Sequence, residues 1–330
     1  MTRAWPPGSA TGIGSLPGTD PAEAVRLVFG ELPDLPHLPE LPARGAGADV
    51  IGRSAALLVD LPVEIAPSGW RFAAHGGRDL RQARDLLAWD LDALEAEAQG
   101  YSGALKVQAA GPWTLAAALE LPSGHKVVSD HGATRDLAAS LAEGLRVHLA
   151  DVQRRVAGAQ LVLQLDEPSL PAVLDGRVPT PSGYGTVRSV EVSLVRQKLI
   201  DVLSVSPEGG RVVHCCAADA PLRLLRDAGA DAIALDATLL TTAQNDELGE
   251  AVDAGLSLWL GVLPGTDADI TLDTTRGAVR RLWSELGFAA SQAAAAVVPT
   301  PACGLAGASP AYVRRALALL RDTGQALRDA

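Results

Sequence analysis

Residues 161–168 read LVLQLDEP, an almost unbroken apolar run that ends abruptly in two carboxylates and a proline. Such a run is typical of a parallel β-strand that is covered on both faces, because neither face then requires polar side chains. The chain contains further runs of this kind at residues 105–109, 212–214, 232–235, 257–262 and 294–298. Their repetition predicts a sheet of parallel strands.

Amphipathic patterns with helical spacing separate these runs. They cover residues 21–29, 78–97, 134–156, 187–203, 220–228, 245–254, 274–286 and 310–328. Residues 11–15 are predicted to form one more strand, and residues 50–61 to hold another. About eight strand–helix alternations predict an α/β fold, a single (β/α)8 TIM barrel over residues 1–330 with long loops on the C-terminal face. An open dinucleotide-binding sheet is disfavoured, because no GxGxxG follows the first strand.

Two stretches rich in proline and glycine interrupt the alternation. Residues 33–47 (PDLPHLPELPARGAG) cannot form a helix. We interpret them as a connector, or as a loop that closes over the active site. Residues 178–185 are interpreted as a long loop on the catalytic face.

The composition excludes several functional classes. The 28 basic and 39 acidic residues give a formal net charge of −11, which disfavours nucleic acid as a partner because phosphates require a basic surface. The 48% hydrophobic content excludes disorder over the whole chain. No apolar run is long enough to span a membrane, and the first residues do not resemble a signal peptide. Three cysteines are too few for a disulfide framework, so we expect a cytoplasmic location.

The segment VVHCC contains the strongest candidate site. Because side chains alternate along a strand, His214 and Cys216 are predicted to point to one face and Cys215 to the other. Imidazole and thiolate ligands favour zinc, and Asp236 and Cys303 follow other strands whose ends converge in a barrel. The alternative is that the cysteines are apolar packing residues and the histidine makes an ordinary hydrogen bond. Cys215 is assigned to packing.

Three other segments contain candidate functional residues. Asp166 and Glu167 end an apolar strand, where carboxylates can bind an ammonium group or transfer protons, or alternatively cap a helix. In GIGSLPGTD, the glycines allow close approach of a ligand, and Ser15 is a candidate to hold a carboxylate or phosphate. Trp113, in QAAGPWT, either lines the pocket or packs in the core.

Taken in order, IGSLPGTD, AGPWT, LQLDEP, VVHCC with a downstream aspartate, and PACGL resemble the catalytic domain of cobalamin-independent methionine synthase. The resemblance extends from about residue 10 to residue 325. It implies a (β/α)8 barrel that is related in fold to uroporphyrinogen decarboxylase. It also implies that the enzyme transfers a methyl group to homocysteine, whose sulfur is bound to zinc.

Site residues follow from the resemblance, position by position. It implies zinc ligands at His214, Cys216 and Cys303, and at Asp236, where the family has a glutamate. It further implies that the substrate amino group contacts Asp166. The substrate carboxylate is expected to contact Ser15 and the backbone of Ile13.

Several departures from the family fall mostly on the methyl-donor side. The second, N-terminal barrel of the full-length enzymes has no counterpart, and residues 261–270 contain no histidine where the family has a catalytic one. The family tryptophan that packs on folate is absent from residues 116–118. A further family glutamate, which contacts the substrate amine, has no acidic counterpart at the matching position of residues 49–53, where Gly52 takes its place.

The expected function is a zinc-dependent methyltransferase that acts on a thiol, with homocysteine as the acceptor. The expected donor is a methylated corrinoid, free or protein-bound, or methyltetrahydrofolate. Two alternatives remain open: a decarboxylase similar to uroporphyrinogen decarboxylase, and a non-catalytic protein that binds zinc or a thiol.

Overall fold

Strands and helices alternate along residues 3–329, the part of the chain that the computed structural model describes. The strands are β1 (Val63–Ala66), β2 (Gly69–Phe72), β3 (Ala104–Ala110), β4 (Gln160–Asp166), β5 (Arg211–Cys215), β6 (Ala232–Asp236), β7 (Ser257–Leu263) and β8 (Val297–Pro301). The α-helices are α1 (Pro21–Glu31), α2 (Val50–Ala56), α3 (Arg78–Glu97), α4 (Pro112–Ala118), α5 (His131–Arg155), α6 (Leu170–Leu174), α7 (Val192–Leu203), α8 (Leu222–Asp227), α9 (Asn245–Asp253), α10 (Leu272–Glu285), α11 (Ala293–Ala296) and α12 (Pro310–Arg328). No helix of this part is long and apolar enough to cross a membrane.

Strands β3 to β8 form one parallel sheet of six strands in chain order. Strands β3 to β7 each contain one of the apolar runs predicted to be a strand, which confirms these five predictions. The prediction for residues 294–298 is only partly correct, because residues 293–296 form the short helix α11 before β8 begins at Val297. The sheet is curled, and helices cover its outer face, as in a TIM barrel.

Two irregular segments, residues 11–16 and residues 36–40, complete the barrel between β8 and β3. They run parallel to each other and pair at Ser15 and Glu40, where the Glu40 carbonyl accepts a hydrogen bond of 2.9 Å from the Leu16 amide. Residues 11–15 were predicted as a strand, and they occupy a barrel-strand position with a single bridge. The predicted (β/α)8 class is therefore confirmed.

The second of these segments belongs to the proline-rich stretch 33–47, for which the sequence predicted a connector or a loop. Its Leu38 amide donates to the Lys106 carbonyl of β3 at 2.9 Å, so this stretch fills a strand position of the barrel. Pro36 and Pro39 have no backbone N–H to donate. They therefore interrupt the ladder and hide the strand from pattern analysis.

The prediction of a strand within residues 50–61 is wrong. Residues 50–56 form α2, and the Asp49 side chain caps it by accepting hydrogen bonds of 2.9 Å from the amides of Ile51 and Gly52. The antiparallel hairpin β1–β2 follows this helix and was not predicted. Seven of the eight predicted helices form with ends within three residues of the prediction, and the remaining one begins at Val192 instead of residue 187.

The interior of the barrel is apolar near the N-terminal ends of the strands and becomes polar towards their C-terminal ends. Near the strand N-termini it is apolar, and Trp5 packs edge-to-face on Trp259 with ring centroids 5.1 Å apart. Further along the strands, the buried side chains of Lys106, Gln108 and Gln164 make it polar. Because the C-terminal ends of parallel barrel strands converge, this polar layer lies below the predicted site residues.

Candidate metal centre and active site

The predicted ligands His214, Cys216 and Cys303 lie together, and their ligand atoms are all within 4.8 Å of one another. His214 is on β5, Cys216 follows it directly, and Cys303 follows β8. The two sulfur atoms are 3.6 Å apart. Cys215 is fully buried in the core, as expected from the strand alternation.

Hydrogen bonding leaves one imidazole nitrogen of His214 free for a ligand. Nδ1 lies 2.8 Å from Oδ1 of Asp166, whereas the buried Nε2 has no hydrogen-bond partner within residues 3–329. A buried polar atom without a partner is costly, and a metal ion would satisfy it. One imidazole and two thiol ligands suit zinc better than magnesium or calcium. The residues therefore fit a zinc ion.

The two thiols differ in acidity because one hydrogen bond joins them. The hydrogen bond from Cys216 lowers the pKa of Cys303, and the same contact raises the pKa of Cys216. Cys303 is therefore the more acidic of the two thiols. A negatively charged sulfur beside a second thiol attracts a soft cation.

Asp236, the fourth predicted ligand, is not part of this group of atoms. It ends β6, and its Oδ1 accepts hydrogen bonds from the amide (2.8 Å) and the hydroxyl (2.7 Å) of Thr238. The short aspartate side chain is thus engaged locally. Its role as a zinc ligand stays a prediction.

Asp166 connects the cluster of His214, Cys216 and Cys303 to the polar layer of the barrel. Its Oδ1 accepts hydrogen bonds of 2.8 Å from His214 and from the side-chain amide of Gln164. About 10% of its side chain is exposed. Asp166 therefore orients the imidazole while a small part of its side chain remains exposed.

The neighbouring carboxylate, Glu167, is fully buried at the start of α4. It accepts hydrogen bonds from the amides of Trp113 (3.0 Å) and Thr114 (2.8 Å) and from the Thr114 hydroxyl (2.8 Å). A Cβ atom on Gly111 would lie 2.3 Å from Glu167 Oε1, so the turn before α4 requires glycine. This geometry is that of a helix cap, the alternative weighed for this residue. A catalytic role for Glu167 stays a prediction.

Trp113 was predicted to line the pocket or to pack. Its side chain is completely buried, and its indole N–H donates to the Val195 carbonyl of α7 at 3.2 Å. The ring therefore joins α4 to α7, which favours the packing interpretation.

Ser15 lies against the turn that carries Cys303. Its carbonyl accepts a hydrogen bond of 2.8 Å from the Leu305 amide. A Cβ atom on Gly304 would lie 2.0 Å from the Ser15 hydroxyl, so glycine is needed for the hydroxyl to fit beside the cysteine. The structure thus brings Ser15 next to the cluster of candidate ligands.

Ile13, the other residue predicted for the substrate carboxylate, directs its carbonyl into the barrel. That oxygen accepts hydrogen bonds from Nζ of Lys106 at 2.7 Å and from the side-chain amide of Gln164 at 2.9 Å. Two buried donors thus already occupy this carbonyl.

Residues 8–326 match the family model described as "Cobalamin-independent synthase, Catalytic domain". The chain belongs to this family. A cobalamin-independent methionine synthase domain is an enzyme of the methyltransferase class, and the expected resemblance is confirmed over nearly the whole chain.

Two solved structures are similar to this cobalamin-independent synthase domain. A B12-independent methionine synthase from Shewanella sp. W3-18-1, in complex with selenomethionine, shares 14% identity with a TM-score of 0.64, covering 98% of each chain. A methyltransferase from Methanosarcina mazei shares 16% identity with a TM-score of 0.57, covering 99% of this chain and 94% of that one. At these identities the likeness concerns the fold. No curated protein matches the chain.

Sequence reasoning missed one acidic residue of this synthase domain. Glu40 ends the segment 36–40, is only 3% exposed, and is near enough to Asp166 for their charges to interact. Gly52, where an acidic residue was sought, lies in α2, and a Cβ there would meet the Gly47 backbone at 2.6 Å. The sequence feature that could have identified Glu40 is its position as a charged residue between two prolines in the otherwise apolar residues 38–42.

Proposed function

We propose that the chain is a zinc-dependent methyltransferase that transfers a methyl group to the sulfur of homocysteine and so forms methionine. The observation that carries the proposal is the cluster of His214, Cys216 and Cys303, whose ligand atoms lie within 4.8 Å of one another. The buried imidazole nitrogen of this cluster has no hydrogen-bond partner among the described residues. Family membership supplies the class of reaction.

His214, Cys216 and Cys303 would hold the zinc ion, with Asp236 proposed as a further ligand. A zinc ion in this place supplies Lewis acidity that lowers the pKa of a thiol, whose ordinary value is about 8.5. Asp166 holds the His214 ring through Nδ1, so that Nε2 points away from the carboxylate and towards the thiols.

Recognition of homocysteine is assigned to groups on three sides of the cluster. Asp166 and Glu40 would accept hydrogen bonds from the ammonium group, since both are carboxylates in the polar part of the barrel. Ser15, beside the Cys303 turn, would donate its hydroxyl to the substrate carboxylate. Fixing both ends of the amino acid orients its sulfur towards the methyl donor.

The proposed methyl donor is a methylated corrinoid, free or protein-bound, or methyltetrahydrofolate. Residues 261–270 contain no counterpart of the family's catalytic histidine. This observation supports the corrinoid, whereas the family description supports a donor other than cobalamin. The two donors are therefore separate arms of one assay.

The test combines metal analysis with turnover. Purified wild-type protein and Cys303→Ser are analysed for zinc and incubated with homocysteine and either methylcobalamin or methyltetrahydrofolate. We expect about one zinc ion per wild-type chain, loss of zinc in the variant, and methionine from one of the donors. Absence of zinc from the wild type would overturn the metal assignment. Zinc without methionine from either donor would overturn the proposed reaction.

A further inference from the structure

Lys106 is a fully buried amine that the proposed reaction does not use. Burial lowers its pKa to about 7, whereas the charges of Asp166 and Glu40 favour its protonated form. It lies on β3 inside the barrel, and its Nζ donates to the Ile13 carbonyl at 2.7 Å and to Oε1 of Gln108 at 3.2 Å. Burying an ammonium group is costly unless nearby charges and hydrogen bonds compensate for it. A neutral side chain would fill this space at lower cost if packing were its only purpose.

Hydrogen bonds lead from Lys106 to Glu40 through one amide. Gln108 accepts from Lys106 through Oε1, which directs its Nε2 towards Oε1 of Glu40 (3.1 Å) and the Leu38 carbonyl (2.7 Å). Because Lys106 can only donate, it determines which end of the Gln108 amide faces the carboxylate. Glu40 is thereby held as an acceptor.

A second route leads from Lys106 to Asp166. The Ile13 carbonyl that accepts from Lys106 also accepts from Nε2 of Gln164, and this same Nε2 donates to Oδ1 of Asp166 at 2.8 Å. The two carboxylates are thus linked through a chain of hydrogen bonds whose centre is the Lys106 ammonium group.

Charge alone does not explain a preference for an ammonium group. Arg44 and Arg53 both pair with the buried Asp90, and Arg53 also faces Glu40. Together with Lys106, Glu40 and Asp166, the formal charges of this buried region therefore balance when every group is ionised. The preference depends instead on how the hydrogen bonds hold the two carboxylates as acceptors.

We propose that Lys106 is a positioning residue that holds Glu40 and Asp166 as a pair of acceptors, and so makes the site select a thiol that carries an ammonium group. The inference rests on the proposed function, since homocysteine is such a thiol. Lys106 itself does not touch the substrate; it acts through Gln108 and through the Ile13 carbonyl.

The test is calorimetric binding to the zinc-loaded protein with two ligands, homocysteine and 4-mercaptobutanoate, which lacks only the amino group. In Lys106→Met we expect the affinity for homocysteine to fall about tenfold or more, and the affinity for 4-mercaptobutanoate to change less than about twofold. A merely structural lysine would change both affinities equally. Gln108→Met, which keeps the lysine but cuts its route to Glu40, should show the same selective loss and serves if Lys106→Met does not fold.

Ser257→Ala is the matched control, because this buried hydroxyl of β7 has no hydrogen-bond partner within the described chain and no contact with the Lys106 hydrogen bonds. It should leave both affinities unchanged. Equal losses for the two ligands in Lys106→Met, or no loss, would overturn the inference while leaving the proposed function intact. If wild-type protein does not bind homocysteine, both proposals are wrong.

Discussion

Asp166 combines a hydrogen bond to the His214 ring with partial exposure of its side chain, and this is the clearest feature at the scale of single residues. It orients His214 through Oδ1, while part of its side chain remains exposed. Glu40 is more deeply buried, and burial raises its pKa to about 7 against the opposing influence of Arg53. The two carboxylates therefore differ in burial and in the groups that face them.

Replacing Asp166 with asparagine should weaken zinc binding roughly 10- to 100-fold, because the imidazole loses the charged acceptor that orients it. Competition with a chromogenic zinc chelator measures the change. Asp175→Asn is the comparison, since the Asp175 carboxylate is exposed and pairs with Arg177. Zinc affinity equal to that of the wild type in Asp166→Asn would contradict the orienting role.

Homocysteine binding should depend on pH through Glu40. Because the pKa of Glu40 is raised to about 7, the carboxylate is ionised above that pH and neutral below it. Arg53, Lys106, Gln108 and Asp166 face it from the neighbouring elements. Relative to 4-mercaptobutanoate, homocysteine should lose about fivefold in affinity between pH ~7 and pH ~6, because the ionised fraction of Glu40 falls from about one half to about one tenth. Taking the ratio cancels the pH dependence of the shared thiol, and Glu40→Gln should abolish the remaining trend.

Glycine and proline decide the local structure at the scale of strands and helices. Gly111 allows Glu167 to cap α4, and the prolines of residues 36–40 make a barrel strand irregular. Neither feature follows the periodicity of a regular element. Both features nevertheless position a carboxylate: the Gly111 turn holds Glu167, and the segment 36–40 ends in Glu40.

Gly111→Ala should destabilise the protein by about 1–3 kcal/mol, because the added Cβ would lie 2.3 Å from Glu167 Oε1 in a closely packed interior. Gly30→Ala is the matched control in α1, where a Cβ meets nothing within 4 Å. There the better helix propensity of alanine should raise stability by up to ~1 kcal/mol. Denaturant unfolding of both variants measures the difference. Equal stability of the two variants would show that the turn can relax.

Zinc would act at the scale of the whole molecule by joining distant parts of the chain. Cys216 follows β5 and Cys303 follows β8, so a bound ion connects strands on different sides of the barrel. A ligand that binds only the folded state stabilises it by mass action. The melting temperature is therefore expected to depend on zinc.

Removing zinc with a chelator should lower the melting temperature of the wild type by several degrees, as expected for about 3–4 kcal/mol of binding energy at saturation. Cys303→Ser without chelator should melt near the chelated wild type and should not respond to further chelation. Differential scanning calorimetry measures both effects. A chelator-induced shift of equal size in the variant would place the bound metal elsewhere.

Pattern and motif order were sufficient to predict the barrel class, most helix and strand positions, and the common face of His214 and Cys216. These features depend on local periodicity, which burial on one or both faces imposes directly on neighbouring residues. Cys303 was identified as well, through the order of motifs and the convergence of barrel strand ends.

The contacts between side chains of distant segments could be seen only in the folded chain. Folding placed Glu40 beside Asp166, engaged Asp236 with Thr238, and buried Trp113 between two helices. The reason is physical: a contact between segments far apart in the chain depends on strand register and on the path of irregular segments. Periodicity carries no information about either.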